Sequence, residues 1–549
     1  EITGDLTTPG YSRPLTVDFL KANPYLVLDT RHFSEEFKRR LLASFDDLDE
    51  QCDGLLIHSE NFQALNLLME RYRGQVKCIY IDPPYNTDAS PVDYKNGFKA
   101  SSWISLIEGR VNLSKPMLTD SGVLVAAIDD EQHRELSFIL SNTFNGRILG
   151  TMCVRSNPSG RPTQKGYSVA HEYLLFAGKS DKSGIGRLPA TDEQMARFSH
   201  RDEVGVFEWR NLRREGSNSD RAARRALYYP IYIEGAAIRV PKMSWDDRTE
   251  EWIIQEDPRP GEQVVWPDNE EGVQKTWRWE WQTVMSSLTE LSVRKDRSGR
   301  DYLYYKRRPH EEGVVSVSCW FDAKYSATEH GTALLKALFG RSVFSYPKSI
   351  YAVVDAVYVA GASDATATIL DFFAGSGTTA HAVINLSRDD GGSRKYILVE
   401  MGEYFDTVLV PRIKKVVFSD KWKEGKAQNG QGIGHFCKYY HLEQYEDALR
   451  RAKYADSDLF DDPYRDPYHQ YIFLRDLKML EALEVDTKKN TVKVDLSKLY
   501  DGIDIAETLS NLTGKWIKRI TANTVEFEDG EVVDMKNLEW KQIKPLIWW

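Results

Sequence analysis

Apolar runs that face both ways, separated by amphipathic stretches, occupy two parts of this chain and vanish from the part between them. Val76-Lys77-Cys78-Ile79-Tyr80-Ile81 has the composition of a strand buried on both faces of a parallel sheet. Residues 123–128, 148–154, 173–176, 368–371 and 395–400 read the same way. Helical spacing fills the gaps, through Ala64, Leu65, Leu67 and Leu68, over 103–118, and through Ala380, Val383 and Leu386. This alternation predicts an α/β fold with strands buried in a parallel sheet. From 180 to 341 the rhythm stops, and aromatic, Arg-rich segments such as Trp277-Arg278-Trp279-Glu280-Trp281 and Tyr302-Leu303-Tyr304-Tyr305 replace it. Five pieces follow: an arm (1–52) with one helix near 34–45, a first half-sheet (53–179), an insertion (180–341), a second half-sheet (342–418), and a tail (419–549). The tail carries an acidic, exposed-looking hairpin at 525–532.

Two strand ends carry candidate chemistry. Asp82-Pro83-Pro84-Tyr85 directly follows the strand 76–81, and two prolines stop a ladder because neither donates an N–H. The loop offers an acceptor, two fixed carbonyls and a ring at the carboxyl edge of a sheet, where open α/β folds bind ligands. That set suits a flat ring bearing an amine; the plain alternative is a strand-ending turn with a capping Asp. Downstream, Asp371-Phe372-Phe373-Ala374-Gly375-Ser376-Gly377-Thr378-Thr379 reads as strand, glycine loop and helix start. Glu400 ends the next strand, where a carboxylate suits ribose hydroxyls. No Gly-Lys-Ser/Thr and no third glycine follow, which favours a nucleoside without phosphates.

Composition mainly excludes. With 549 residues and 41% hydrophobic content the chain can bury a large core, and no run reaches the ~20 apolar residues of a membrane span. The first residue is Glu1 rather than Met, so a fragment or a processed chain is expected. Five scattered cysteines without a CxxC pair argue against disulfides and a zinc site and fit a reducing cytoplasm. The net charge of −10 opposes nucleic-acid binding as a whole. Locally the sign reverses, with 14 Lys and Arg against 9 Asp and Glu over 151–230, and phosphate binding needs only a local field. Arg221, Arg224 and Arg225 are candidate DNA contacts in that stretch, and Arg294, Lys295, Arg297, Arg300, Lys306, Arg307 and Arg308 form a second basic cluster.

Taken together, the Asp82–Tyr85 loop and the Phe373–Gly377 loop resemble the amino-methyltransferases that modify exocyclic amines of DNA bases with S-adenosyl-L-methionine. The catalytic loop precedes the cofactor loop, as in the permuted β group of that family. Tyr346-Pro347-Lys348-Ser349 and the helix after His58-Ser59-Glu60-Asn61 are similar to further family elements. Asp82-Pro83-Pro84-Tyr85-Asn86-Thr87, Gly122-Val123-Leu124-Val125-Ala126-Ala127-Ile128-Asp129-Asp130 and His171-Glu172-Tyr173-Leu174 most resemble the modification subunits of type III restriction systems. The resemblance implies an α/β, permuted Rossmann-like methyltransferase core, a mixed, mostly parallel sheet with helices on both faces, with an inserted target-recognition domain and a C-terminal domain. It implies catalysis by Asp82, Pro83, Pro84 and Tyr85, and cofactor binding by Asn61, Lys348, Asp371, Phe373, Gly375, Gly377 and Glu400. Asp371 also fits a helix cap, and Lys348 a surface lysine. Asp at the first loop position implies adenine N6; cytosine N4, RNA, another amine, or a recognition subunit of a defence assembly are the alternatives. Double-stranded DNA, a homodimer and a helicase-nuclease partner are the implied partners, with the tail as docking surface. His171 and Trp103 receive no catalytic role.

Overall fold

The computed structural model describes residues 16–85, 100–160, 166–216, 218–296, 299–310, 312–442, 483–486, 491–494, 502–536 and 538. Asn86, Thr87, Arg297 and much of the tail lie outside them. The chain divides into a large unit, Glu1–Gly186 with Ser316–Trp549, and a smaller one, Arg187–Val315.

Nine strands form the main sheet of the large unit: β1 (Gly54–His58), β2 (Val76–Ile81), β3 (Leu118–Ile128), β4 (Ile148–Val154), β5 (Glu172–Gly178), β6 (Cys319–Trp320), β7 (Thr368–Asp371), β8 (Lys395–Glu400) and β9 (Cys437–His441). Their order is β6-β4-β5-β3-β2-β7-β8-β1-β9. All pairs are parallel except β3/β5 and β4/β5. The decisive neighbours are β2 and β7, paired in parallel as Cys78 with Ile369 and Ile79 with Leu370. Strands far apart in sequence thus end at the same edge.

Helices cover both faces because their apolar stripes match the sheet. In α1 (Asn61–Tyr72) Ala64, Leu65 and Leu68 are buried. In α2 (Ala100–Ser114) Trp103, Ile107 and Val111, spaced by four, are buried. Three more helices, α3 (His133–Thr143), α4 (Ile350–Val357) and α5 (Thr378–Asp390), complete the cover together with α6 (Val410–Phe418).

The large unit is more tightly knit than the expected pieces 1–52, 53–179, 342–418 and 419–549 suggest. β9, from the tail, closes the sheet edge against β1. Leu48 of the arm joins Leu509, Ile517, Val525 and Phe527 of the tail in one apolar cluster. Beside it Arg71 of α1 meets Asp49 at 2.6 Å and Glu507 at 3.6 Å, and Lys438 of β9 bonds both carboxylates. Two acids and two bases balance there, which is how charges survive burial. The hairpin at 525–532 is exposed over 528–532, but Val525 and Phe527 point inward and join that apolar cluster.

The smaller unit is built from short antiparallel sheets, including one of four strands with Val206–Asn211, Leu291–Lys295 and Asp301–Arg307. Its core gathers Leu212, Tyr229, Ile231, Trp277 and Leu303, and the Trp277 indole donates to the Tyr229 carbonyl at 2.7 Å. This unit lies inside the expected 180–341 insertion. Residues 316–341 instead belong to the large unit, because β6 extends the main sheet beside β4.

Candidate active site

Asp82 leaves the sheet directly after Ile81, and the prolines hold the next residues at the strand end. Trp103 of α2 fixes the loop from behind, its indole donating to the Pro84 carbonyl at 2.8 Å. Because β5 runs antiparallel to β3, its first residue, Glu172, stands at the same edge as Asp82. Lys348, from the Pro347-Lys348 segment before α4, reaches in between. Its Nζ lies 2.7 and 2.6 Å from the two Asp82 oxygens and 3.5 Å from Glu172 Oε2. The same ammonium sits 4.7 Å from the Tyr85 ring centroid, and the Tyr85 hydroxyl donates to Glu172 Oε2 at 3.1 Å. Burial disfavours charge on Lys348, but Asp82 and Glu172 outweigh it and hold the ammonium above its usual pKa. Burial raises Glu172 despite Lys348. With both acids ionised, two carboxylates and one ammonium leave this corner with one net negative charge.

The glycine loop lies alongside. Burial pushes Asp371 up to about 7, although Thr379 Oγ1 at 2.5 Å and the Phe373 N–H at 3.0 Å both bond its carboxylate. Burial likewise raises Glu400, against the N–H groups of Gly402, Gly375 and Met401, each at 2.8 Å. Gly375 (φ +53°) and Gly377 (φ +80°) take left-handed conformations that side chains resist. The Asn61 amide donates to the Phe372 carbonyl at 3.0 Å and accepts from Arg110 Nε at 2.8 Å.

Both loops open into one cavity of about 790 Å³. Asp82, Pro83, Pro84, Tyr85, Lys348, Asp371, Phe373, Gly375 and Glu400 all line it. Asn61 and Gly377 do not: Asn61 braces the loop from the side, and Gly377 backs onto Leu409, 3.3 Å from where a Cβ would sit. Lys348, expected on the cofactor side, has its charge on the catalytic loop. Glu172 and Trp103 went unassigned; the signal for Glu172 was an acid opening a strand that is otherwise apolar.

The Asp371 shift yields a stability prediction. The fold keeps this proton up to about pH 7, whereas the unfolded chain loses it near 3.8. The folded state therefore binds more protons between those values, so this contribution is full below 3.8, falls as pH rises, and is gone above about 7. The slope is on the order of 1 kcal/mol per pH unit. Urea midpoints measured at pH 5 and pH 7 should fall more for wild type than for Asp371→Asn; equal falls would contradict the burial argument.

In the smaller unit two of the three expected DNA contacts are already engaged. Arg221 pairs with Glu251 at 2.6 Å and lies 4.6 Å over the Tyr228 ring, and Arg225 pairs with Glu250. No carboxylate among the described residues pairs with Arg224. Its charge acts on Arg214, which burial, Arg224 and Arg278 hold below the usual pKa, and the Arg214 Nε is buried without a partner among the described residues. Backbone bonds bring these segments together: Arg214 N–H donates to Thr276 O, Arg278 N–H to Leu212 O, and Trp277 N–H to Leu227 O.

A Rossmann-like sheet with an Asp-Pro-Pro-Tyr loop and a glycine loop at one edge defines an amino-methyltransferase core. The chain belongs to the DNA methylase family of N6/N4 methyltransferases, which residues 76–409 match. It is similar to the type II methyltransferase M.KpnI of Klebsiella pneumoniae, 30% identical over 66% of this chain and 84% of that protein. It is also similar to the Mod subunit of the type III restriction-modification enzyme EcoPI of Escherichia phage P1, 26% identical over 65% of this chain and 58% of that one. Among solved structures, the M1.HpyAVI–SAM complex aligns with a TM-score of 0.29 at 14% identity, covering 65% of this chain and 99% of that one. No helix among the described residues is long and apolar enough to cross a membrane.

Proposed function

We propose that this DNA methyltransferase transfers a methyl group from S-adenosyl-L-methionine to N6 of an adenine rotated out of a DNA duplex. The observation that carries the reading is the shared cavity, in which Asp82 and the glycine loop stand on adjacent parallel strands. The donor set fits the cofactor: a backbone cradle at Gly375, a carboxylate at Glu400 and the Phe373 ring line the glycine side. When bound, that cofactor supplies an electrophilic methyl group.

The chain's own residues prepare the amine. An adenine amine is a weak nucleophile because its lone pair is delocalised into the ring. Asp82 and the Pro83 carbonyl accept its two N–H bonds, which favours a tetrahedral nitrogen with its lone pair facing the methyl. The Pro84 carbonyl is already taken by Trp103. As positive charge grows on the nitrogen, the net negative corner of Asp82, Glu172 and Lys348 stabilises it, and the methylated nitrogen then loses one of its protons. Tyr85, tethered to Glu172, stacks on the base. Rotating the base out costs a few kcal/mol, offset by stacking and phosphate contacts.

Asp82 at the head of the loop supports adenine over cytosine N4, the second reading. Nucleoside digestion and mass spectrometry of DNA treated with the protein separates them, by N6-methyladenine or N4-methylcytosine. A homodimer, a helicase-nuclease partner and a cytoplasmic location complete the proposal; light scattering with DNA tests the dimer, and a strictly monomeric methylating complex contradicts it.

Arg214, Arg224 and Arg278 bind phosphates in this reading, in place of the engaged Arg221 and Arg225. Changing Arg224 and Arg278 to Gln should weaken DNA binding across sequences and lower the salt slope by about one for each phosphate that is no longer neutralised. Arg221→Gln with Arg225→Gln should leave the slope unchanged; the opposite ranking would return phosphate binding to that pair.

A further inference from the structure

Arg412 of α6 is completely buried, yet no carboxylate among the described residues pairs with it. One of its terminal nitrogens donates to Ser376 Oγ at 2.8 Å, Thr378 Oγ1 at 2.9 Å and the Ser376 carbonyl at 3.2 Å. The other faces His381 Nδ1 at 3.3 Å, and the Arg412 Nε has no partner among the described residues. Burial, Arg412 and Arg388 hold His381 neutral, so the imidazole accepts and adds no negative charge. Burying a cation without a counter-ion is costly, and an anion brought in by a ligand would offset that cost.

The path to the ligand is short. Ser376 and Thr378 line the cavity, and both hydroxyls already accept from Arg412; their oxygens lie 3.4 Å apart, so one proton bridges the pair and the other is left to donate. A hydroxyl that accepts a charge-assisted bond becomes a stronger donor. Behind them α5 starts at Thr378 with no side-chain cap, so its first N–H groups add to the same positive end. Asp371 and Glu400 in the same cavity are bonded by their own loop amides and do not offset Arg412.

We propose that Arg412, a positioning residue acting through the Ser376 and Thr378 hydroxyls, builds a carboxylate subsite for the amino-acid end of the methyl donor. This rests on the S-adenosyl-L-methionine reading of the cavity.

The test uses two ligands that differ by the carboxylate alone, S-adenosylmethionine and decarboxylated S-adenosylmethionine, titrated calorimetrically into the full chain. Wild type should prefer the carboxylated ligand by about 10- to 100-fold, the range for hydrogen bonds to a charged group. Arg412→Met should bring that ratio to within a few-fold by weakening only the carboxylated ligand. Should that variant not fold, Ser376→Ala with Thr378→Val breaks the relay while keeping the buried cation, and the same loss of preference is expected. An unchanged ratio, or equal weakening of both ligands, overturns the proposal and leaves Arg412 a structural residue. Wild type that binds S-adenosylmethionine with no preference also overturns it alone; wild type that binds neither ligand overturns the cofactor reading with it.

Discussion

Asp82→Ala should bind S-adenosyl-L-methionine within a few-fold of wild type and lose on the order of 100-fold or more in single-turnover methyl transfer. The size follows from removing a fixed charge beside an atom that gains charge in the transition state, in a half-buried site. The structure sharpens the expectation. Without Asp82 the corner retains Lys348 and Glu172, whose charges cancel, so nothing there favours a cationic nitrogen. Cofactor affinity should survive because Asp82 touches none of the groups that shape the glycine loop: the Gly375 N–H is held by Glu400 and the Phe373 N–H by Asp371. Quenched single-turnover assays at saturating cofactor and DNA are the check. Near-normal transfer would remove Asp82 from the mechanism.

Gly375→Val should abolish cofactor binding, with affinity at least ~100-fold weaker, because a side chain here meets both a strained backbone and the ligand's own space. Three effects act together. The residue sits at φ +53°, which a β-branched side chain resists. A Cβ there would lie 3.4 Å from the Phe344 ring, so the larger side chain extends into the cavity that both loops line. The Gly375 N–H also supports Glu400, so strain passes to the acid at the end of β8. Calorimetry should show no binding at concentrations that saturate wild type, while circular dichroism stays native-like. Unchanged affinity would place the cofactor site elsewhere.

Much of this molecule is local physics and legible in the chain. The strands 76–81, 368–371 and 395–400 could be read because they are buried on both faces and must be apolar throughout. Their ends could be read because proline forbids a ladder bond and glycine permits positive φ, whatever surrounds them. The loops Asp82–Tyr85 and Asp371–Gly377, and the acid Glu400, followed from that grammar. What the chain could not reveal were the partners of charged side chains, because ion pairs form across any sequence separation once the backbone brings them close. Lys348 and Asp82 are 266 positions apart, and only the pairing of β2 with β7 makes them neighbours. Glu172 joins them because β5 runs antiparallel, a direction no residue of that strand encodes. Arg221 and Arg225 looked free in a basic stretch until the fold set Glu251 and Glu250 against them. Nothing in the sequence pattern singled out Arg412. Its complete burial beneath the glycine loop, among hydroxyls and without a carboxylate, was decided by how α6 packs on α5.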